Sequence, residues 1–215
     1  MLIAPHLTSR TGQINGGRQQ ELKMNNRNRT RKLTGVAIFT ALVIVLQLLG
    51  SFIKFGPFSV SLTLIPIVVG AALYGPAAGA WLGLIFGIVV LVSGDASPFL
   101  AVSVPGTVFT VLVKGALAGF ISGLVYKALR NSNVWVASIC AALVCPVVNT
   151  GVFLLGCKLF FMDTLAEWAA AFGFENVGRY MIFGLVGGNF LFELLFNIVL
   201  SPVIVRLINI ASKDD

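Results

Sequence analysis

The stretch FGPFSVSLTLIPIVVGAALYGPAAGAWLGLIFGIVVLVSG, residues 55–94, contains 40 residues without a single charged side chain. A helix that crosses a membrane needs about 20 apolar residues. The turn signal Tyr74-Gly75-Pro76 divides the stretch into two short helices, which we predict at about 62–74 and 77–93. The sequence therefore predicts a membrane protein whose helices are joined by tight turns.

The composition of the whole chain also indicates a membrane protein. Of its 215 residues, 57% are hydrophobic and 11% are charged, whereas about 25% are charged in a typical soluble domain. A soluble fold of this length has too little interior to bury so much apolar surface. This argues against a soluble enzyme, a nucleic-acid-binding protein and a disordered chain.

Charged and polar residues divide the rest of the chain into further helices. A short amphipathic helix is expected near 165–172, and long apolar helices are predicted at 33–53, 105–129, 134–160 and 180–209. Together with the two short helices, this gives an all-α bundle of six transmembrane helices. We place this membrane domain at residues 33–210.

Basic residues are concentrated at the N-terminus. Seven of the 15 lysines and arginines lie in residues 1–32, and the net charge is +7. By the positive-inside rule, we expect residues 1–32 to be a cytoplasmic tail. An even number of helices then returns the C-terminal tail, residues 211–215, to the same side. Residues 1–23 are polar and patternless and Met24 offers a second start, so the native status of residues 1–23 stays open.

Small residues recur at every fourth position in several predicted helices. In lipid the hydrophobic effect does not drive helices together, so close contact between their backbones must stabilise the packing. We expect internal helix packing for the two longest series, Gly79, Gly83 and Gly87, and Gly115, Gly119 and Gly123. A pair in the first helix, Ala37 and Ala41, fits either a neighbouring helix of this chain or a partner protein.

A few polar side chains lie inside the apolar helices. Lys114 lies about nine residues into the fourth, and the sixth has one polar face, Asn189, Glu193, Asn197 and Ser201. A charge at membrane depth is costly unless it is paired or hydrated. Lys114 and Glu193 therefore either neutralise each other or serve a ligand. Asn149 and Asn189 lie nearer the outer side, where their amides suit a polar ligand or bond to another helix.

No catalytic constellation is apparent in the sequence. It contains no Walker A, HExxH or GxSxG motif, and its one histidine is His6 in the tail. The three cysteines lack the spacing of a metal site. We therefore expect no enzymatic activity, no metal and no cofactor. Uphill transport by this chain would take its energy from an ion gradient or from a partner.

Four segments together carry a resemblance to a known family. They are the Ala37–Ala41 pair and the segments Phe55–Ile67, Leu73–Gly83 and Leu112–Gly119. In their order and spacing they resemble the substrate-binding S components of energy-coupling factor (ECF) transporters, the bacterial vitamin importers. The resemblance covers residues 33–209 and is strongest to the branch that binds riboflavin, folate or pantothenate.

The resemblance implies a function and a set of partners. One vitamin would bind near the outer face of the bacterial cell membrane, below the loops at 54–61, 94–104 and 163–179. A transmembrane coupling subunit and two ATP-hydrolysing subunits would drive import, with docking through Ala37 and Ala41. The candidate ligand-binding residues are Phe58, Ser59, Ser61, Lys114, Asn149, Asn189 and Glu193.

The identity of the vitamin depends on weaker signals. Lys54, Lys158 and Arg179 lie near the outer side and favour an anionic vitamin, so we prefer pantothenate to riboflavin or folate. The alternative function is a self-sufficient secondary carrier that uses Glu193 and Lys114 to couple transport to an ion. Against it, the sequence shows no internal repeat of the kind that such carriers usually have.

Overall fold

The computed structural model describes the backbone of residues 6–52, 54–55, 58–59 and 63–213. Side chains are described for residues 24, 27, 29–52, 63–208 and 210. The chain forms two compact units, Met1–Ile38 and Phe39–Asp215. The first unit consists of the N-terminal part of one long helix, and the second contains every other helix described below.

Helices account for most of the described residues. They are α1 (His6–Gly50), α2 (Leu64–Tyr74), α3 (Pro76–Val92), α4 (Ser97–Leu100), α5 (Val104–Leu129), α6 (Val134–Phe160), α7 (Met162–Ala171), α8 (Val177–Arg179), a π-helical segment (Tyr180–Val186) and α9 (Gly187–Lys213). The last three form one continuous final helix. Two short strands, β1 (Lys54–Phe55) and β2 (Phe58–Ser59), pair antiparallel.

Four helical segments are long and apolar enough to cross a membrane within the part of the chain that the structure describes. They are Arg29–Gly50, Val104–Leu129, Val134–Phe160 and Val177–Ile208. The helices α2 and α3 are apolar but shorter. The all-helical fold and the helices predicted after residue 62 are thus confirmed, apart from boundary shifts of a few residues. The final helix begins at Val177 rather than at Tyr180.

Much of the N-terminal tail is helical. The stretch 1–23 has no apolar pattern, yet α1 begins at His6. Glutamine, glutamate and lysine are good helix formers without any apolar face. A search for apolar periodicity therefore misses a helix that is polar on all sides.

The short helix α2 lies at the centre of the second unit. It contacts α3, α5, α6 and α9, and the side chains of Leu64, Ile67 and Val68 are completely buried. A helix that is apolar on all sides is stable where protein surrounds it. At its end, Gly75 has a φ of 96°, which a residue with a side chain rarely adopts. This glycine allows the chain to reverse directly into α3.

The helices α3 and α5 cross with their backbones in contact. A Cβ atom added to Gly83 would overlap the carbonyl oxygen of Gly115, and one added to Gly119 would overlap the carbonyl oxygen of Gly79. A Cβ atom on Gly87 would lie 2.8 Å from the carbonyl oxygen of Val111. The prediction that these glycine series pack helices of the same chain is confirmed.

A hydrophobic cluster around Phe99 covers one end of the bundle, which we call the capped end. Here the ring of Phe99, on α4, makes edge contacts with Phe153, Phe161 and Trp168 at centroid distances of 5.5, 5.1 and 5.4 Å. The amphipathic helix α7 buries Leu165 against the same cluster. The short helices α4 and α7 are thereby fixed over the ends of the long ones.

We predict that Gly83→Ala and Gly115→Ala each destabilise the protein. The added methyl group has no room at the α3–α5 crossing, and overpacking of this kind typically costs about 1 to 3 kcal/mol in the free energy of unfolding. Gly151→Ala is the matched control, because a Cβ atom there meets nothing within 4 Å. Thermal unfolding in detergent should show a lower Tm for the first two variants only. Equal Tm values in all three would contradict the packing.

Candidate ligand-binding cavity

A cavity of about 70 Å³ lies within the second unit, next to the capped end. The aromatic part of its wall includes Phe86, Phe99, Phe153, Phe161 and Phe190. Its polar part comes from α1, the α3–α4 turn, α5, α6 and α9, and consists of Gln47, Asp95, Thr107, Thr110, Lys114, Asn149, Asn189 and Glu193. Apolar walls with a few convergent polar groups are typical of sites for small molecules.

Four of the predicted ligand-binding residues meet at this cavity, namely Lys114, Asn149, Asn189 and Glu193. They come from three helices, α5, α6 and α9. The side chains of Phe58 and Ser59 lie outside the described residues, although their backbone forms β2. Ser61 also lies outside them. A role in binding stays a prediction for all seven residues.

The polar face of α9 is divided between the cavity and the interior below it. At the cavity, the Nδ2 atom of Asn189 donates to Oε1 of Glu193 at 3.3 Å. One turn further along, the Nδ2 atom of Asn197 donates to the backbone oxygen of Glu193 at 2.9 Å. The i, i+4 spacing thus directs two of the polar residues to the cavity.

The ammonium group of Lys114 lies between aromatic rings. Its Nζ atom is 5.2 Å from the ring centroid of Phe153 and 5.6 Å from that of Phe86. Both distances are within the range of cation–π attraction. The rings hold the cation at the cavity wall, where the carboxylate of Glu193 is also present. Pairing with Glu193 and contact with an anionic ligand both remain compatible with this position.

Three oxygen atoms in the cavity wall are enclosed without a hydrogen-bond partner among the described residues. They are Oγ1 of Thr110 and the Oδ1 atoms of Asn149 and Asn189. Most buried polar atoms in proteins have a partner, and each one without a partner costs about 1 to 3 kcal/mol. Three such acceptors around one cavity suit a ligand that brings its own hydrogen-bond donors.

A hydrogen-bond network lies at the side of the cavity formed by α1. The buried amide of Gln47 donates from Nε2 to Oδ2 of Asp95 at 3.2 Å and accepts from Oγ1 of Thr63 at 2.9 Å. The hydroxyl group of Ser93 donates to the same carboxylate oxygen at 2.9 Å. The network connects α1, the start of α2 and the α3–α4 turn.

Sequence reasoning missed half of the polar wall, namely Gln47, Asp95, Thr107 and Thr110. A lone amide deep in an apolar helix is a detectable signal for Gln47. The other three gave no signal, because turns often contain aspartate and helices in membranes often contain threonine. The partner of Gln47 is 48 residues away in the chain, and no local pattern reveals such a contact.

The pairing of Lys114 with Glu193 can be tested through stability. If the two charges neutralise each other, we expect Lys114→Met and Glu193→Gln each to lower the Tm, because each leaves an uncompensated buried charge. The double variant should then recover much of that loss. A double variant that is no more stable than the single variants would exclude the pairing. Contact of Lys114 with a ligand would then be the remaining explanation.

Comparison with known proteins identifies the family of the chain. Residues 31–208 match the family model described as the ECF transporter, substrate-specific component. Over 196 residues the chain is 29% identical to the pantothenic acid transporter PanT of Lactococcus lactis subsp. cremoris (strain MG1363), which covers 83% of this chain and 94% of that protein. No solved structure matches the chain. Because the family model spans most of its length, this multi-pass membrane protein belongs to the substrate-specific components of ECF transporters.

Proposed function

We propose that this chain is the substrate-binding subunit of an ECF-type importer and that its vitamin is pantothenate. It captures the vitamin at the outer face of a bacterial plasma membrane and delivers it inward together with an ATP-driven module. The observation that carries the proposal is the cavity whose wall contains one ammonium group and three oxygen atoms without partners among the described residues. The similarity to a pantothenic acid transporter supports it.

The chemistry of pantothenate complements that of the cavity wall. The vitamin has one carboxylate, one amide group and two hydroxyl groups around a compact apolar centre. The carboxylate suits the ammonium group of Lys114, and the hydroxyl and amide donors suit the acceptors of Asn149 and Asn189. Riboflavin and folate carry large fused rings, which need more room than the compact skeleton of pantothenate.

The proposal includes an arrangement in the membrane. The four long and two short apolar helices supply six transmembrane helices in residues 33–210, with both termini in the cytoplasm. Exposed Lys127 and Arg130 lie at the α5–α6 connection, whereas exposed Asp163 and Glu167 lie at the other end of α6. The positive-inside rule then places the capped end, and with it the cavity, at the outer face. Residues 1–32 and 211–215 are the cytoplasmic tails.

The first helix supports a docking surface for the coupling subunit. Its buried face in the second unit includes Val43 and Gln47, and the side chain of Ala41 is exposed. Because two residues along a helix correspond to a rotation of about 200°, Ala41 points away from Val43. Ala37 is also exposed and precedes Ala41 by four residues in the sequence, the spacing of about one helical turn. Small side chains there allow close approach of a helix from a partner.

The decisive experiment measures binding and uptake of radiolabelled pantothenate separately. We expect the purified chain alone to bind the vitamin without transporting it, and cells that also express an ECF module to take it up in an ATP-dependent manner. Uptake by the chain alone, driven by an ion gradient, would favour the secondary carrier that uses Glu193 and Lys114. Absence of pantothenate binding would overturn the proposed substrate.

We predict that Asn149→Ala and Asn189→Ala weaken pantothenate binding. Each removes one amide contact, and the loss of a buried hydrogen bond of about 1 to 3 kcal/mol corresponds to about tenfold or more in Kd. Asn131→Ala is a suitable control, because Asn131 is exposed at the α5–α6 connection. Wild-type affinity in both cavity variants, measured by isothermal titration calorimetry, would remove the two amides from the site.

We predict a split phenotype for Ala37→Trp and Ala41→Trp. The added bulk should block assembly with the coupling subunit and abolish uptake, while the affinity for pantothenate stays close to that of the wild type. Leu155→Trp controls for a large side chain on a lipid-facing position, since Leu155 is 62% exposed on α6. Normal co-purification with the module and normal uptake in both alanine variants would refute the docking surface.

A further inference from the structure

Two threonines one turn apart on α5 line the cavity but differ in their hydrogen bonds. Both are almost completely buried, Thr107 at 2% and Thr110 at 3% exposed. The hydroxyl group of Thr107 donates to the backbone oxygen of Ser103 at 2.7 Å, which is the usual arrangement for a threonine within a helix. The hydroxyl oxygen of Thr110 has no partner in the described part of the chain. Thr110 therefore lacks the hydrogen bond that a threonine within a helix usually makes.

The position of Thr110 is fixed by the neighbouring helix. A Cβ atom added to Gly156 on α6 would overlap the Oγ1 and Cγ2 atoms of Thr110, so α6 approaches this side chain as closely as a glycine permits. A β-branched side chain has few rotamers within a helix. The tight contact therefore leaves the hydroxyl group little freedom to move.

The neighbours of Thr110 belong to the same site. On α6, Asn149 precedes Gly156 by seven residues and so lies on the same face of the helix. Its Oδ1 atom is also enclosed without a partner. On α5, Lys114 follows Thr110 by four residues, which puts the two Cβ atoms about 5–6 Å apart. A hydroxyl group that can donate and accept thus lines the same cavity as a cation and an amide acceptor.

We propose that Thr110 is a specificity-determining residue that hydrogen-bonds a hydroxyl group of the ligand. This inference rests on the proposed function. In the proposed arrangement the carboxylate of the ligand binds Lys114 and a hydroxyl group of its acyl part reaches Thr110. A hydroxyl group can both donate to and accept from the threonine hydroxyl. A site built around such a bond rejects an analogue that lacks the hydroxyl, because its own polar group then stays without a partner.

The test compares two ligands rather than one. Pantothenate and its dideoxy analogue, which lacks both hydroxyl groups, share the carboxylate, the amide and the apolar skeleton. We expect the wild-type protein to bind pantothenate at least tenfold more tightly than the analogue. In Thr110→Val the affinity for pantothenate should fall about tenfold, while the affinity for the analogue changes by no more than about twofold. The ratio of the two Kd values would then be much smaller in Thr110→Val than in the wild-type protein.

Matched variants separate this role from a purely structural one. Thr107→Val removes a hydroxyl that the backbone already satisfies, so any effect should apply to both ligands alike and leave the ratio intact. Thr110→Ser keeps the hydroxyl and should keep the discrimination. Thr110→Ala gives the same readout as the valine variant with a smaller side chain, so the result does not depend on one variant folding.

The outcomes distinguish this inference from the proposed function. If the wild-type protein binds no pantothenate, the proposed substrate fails and the role of Thr110 fails with it. A second outcome is that the wild-type protein discriminates between the two ligands and that both Thr110→Val and Thr110→Ala keep the wild-type ratio of Kd values. In that case the proposed function stands, but the proposed role of Thr110 is wrong. A reduced ratio in both variants, with the wild-type ratio in Thr107→Val, supports it.

Discussion

The backbone contact between α3 and α5 is the constraint on which the rest of the structure depends. Gly83 and Gly115 bring the two helices together as closely as main chains allow. This contact fixes the rotation of α5 about its own axis, and with it the direction of Thr110 and Lys114 toward the cavity. Neither polar residue could be held there by hydrophobic packing, since lipid is as apolar as the core. The close fit between the two glycine series holds both residues in position instead.

The membrane also determines where the polar groups are concentrated. In water, an unpaired amide or hydroxyl can turn toward the solvent, but in a bilayer it must find a partner in the protein or in a ligand. Gln47 and Asp95 satisfy each other, whereas Thr110, Asn149 and Asn189 keep acceptors without partners. Of the four buried side-chain oxygen atoms without a partner among the described residues, three line the same cavity. A ligand that satisfies them gains binding energy and also removes a cost from the fold.

The sequence predicted the helices well because their signals are local. An uncharged stretch, the Tyr74-Gly75-Pro76 turn and glycines at every fourth position each act within a few residues of where they stand. The cavity was predictable only in part. Lys114 and Glu193 stand out because charges are rare at membrane depth. The role of Thr110 depends on Gly156 of another helix, and the helical start of α1 depends on residues without an apolar pattern.

The same first helix joins the two surfaces that the proposed function needs. Gln47 on its buried face holds Asp95 and Thr63 beside the cavity, and Ala41, six residues earlier, lies exposed on another side. A partner that docks on the Ala41 surface and shifts or tilts this helix would strain the hydrogen bonds of Gln47. Those bonds connect the α3–α4 turn and the start of α2, which form one side of the cavity. In the proposed function, this helix can thus couple partner binding to the ligand site without any residue belonging to both surfaces.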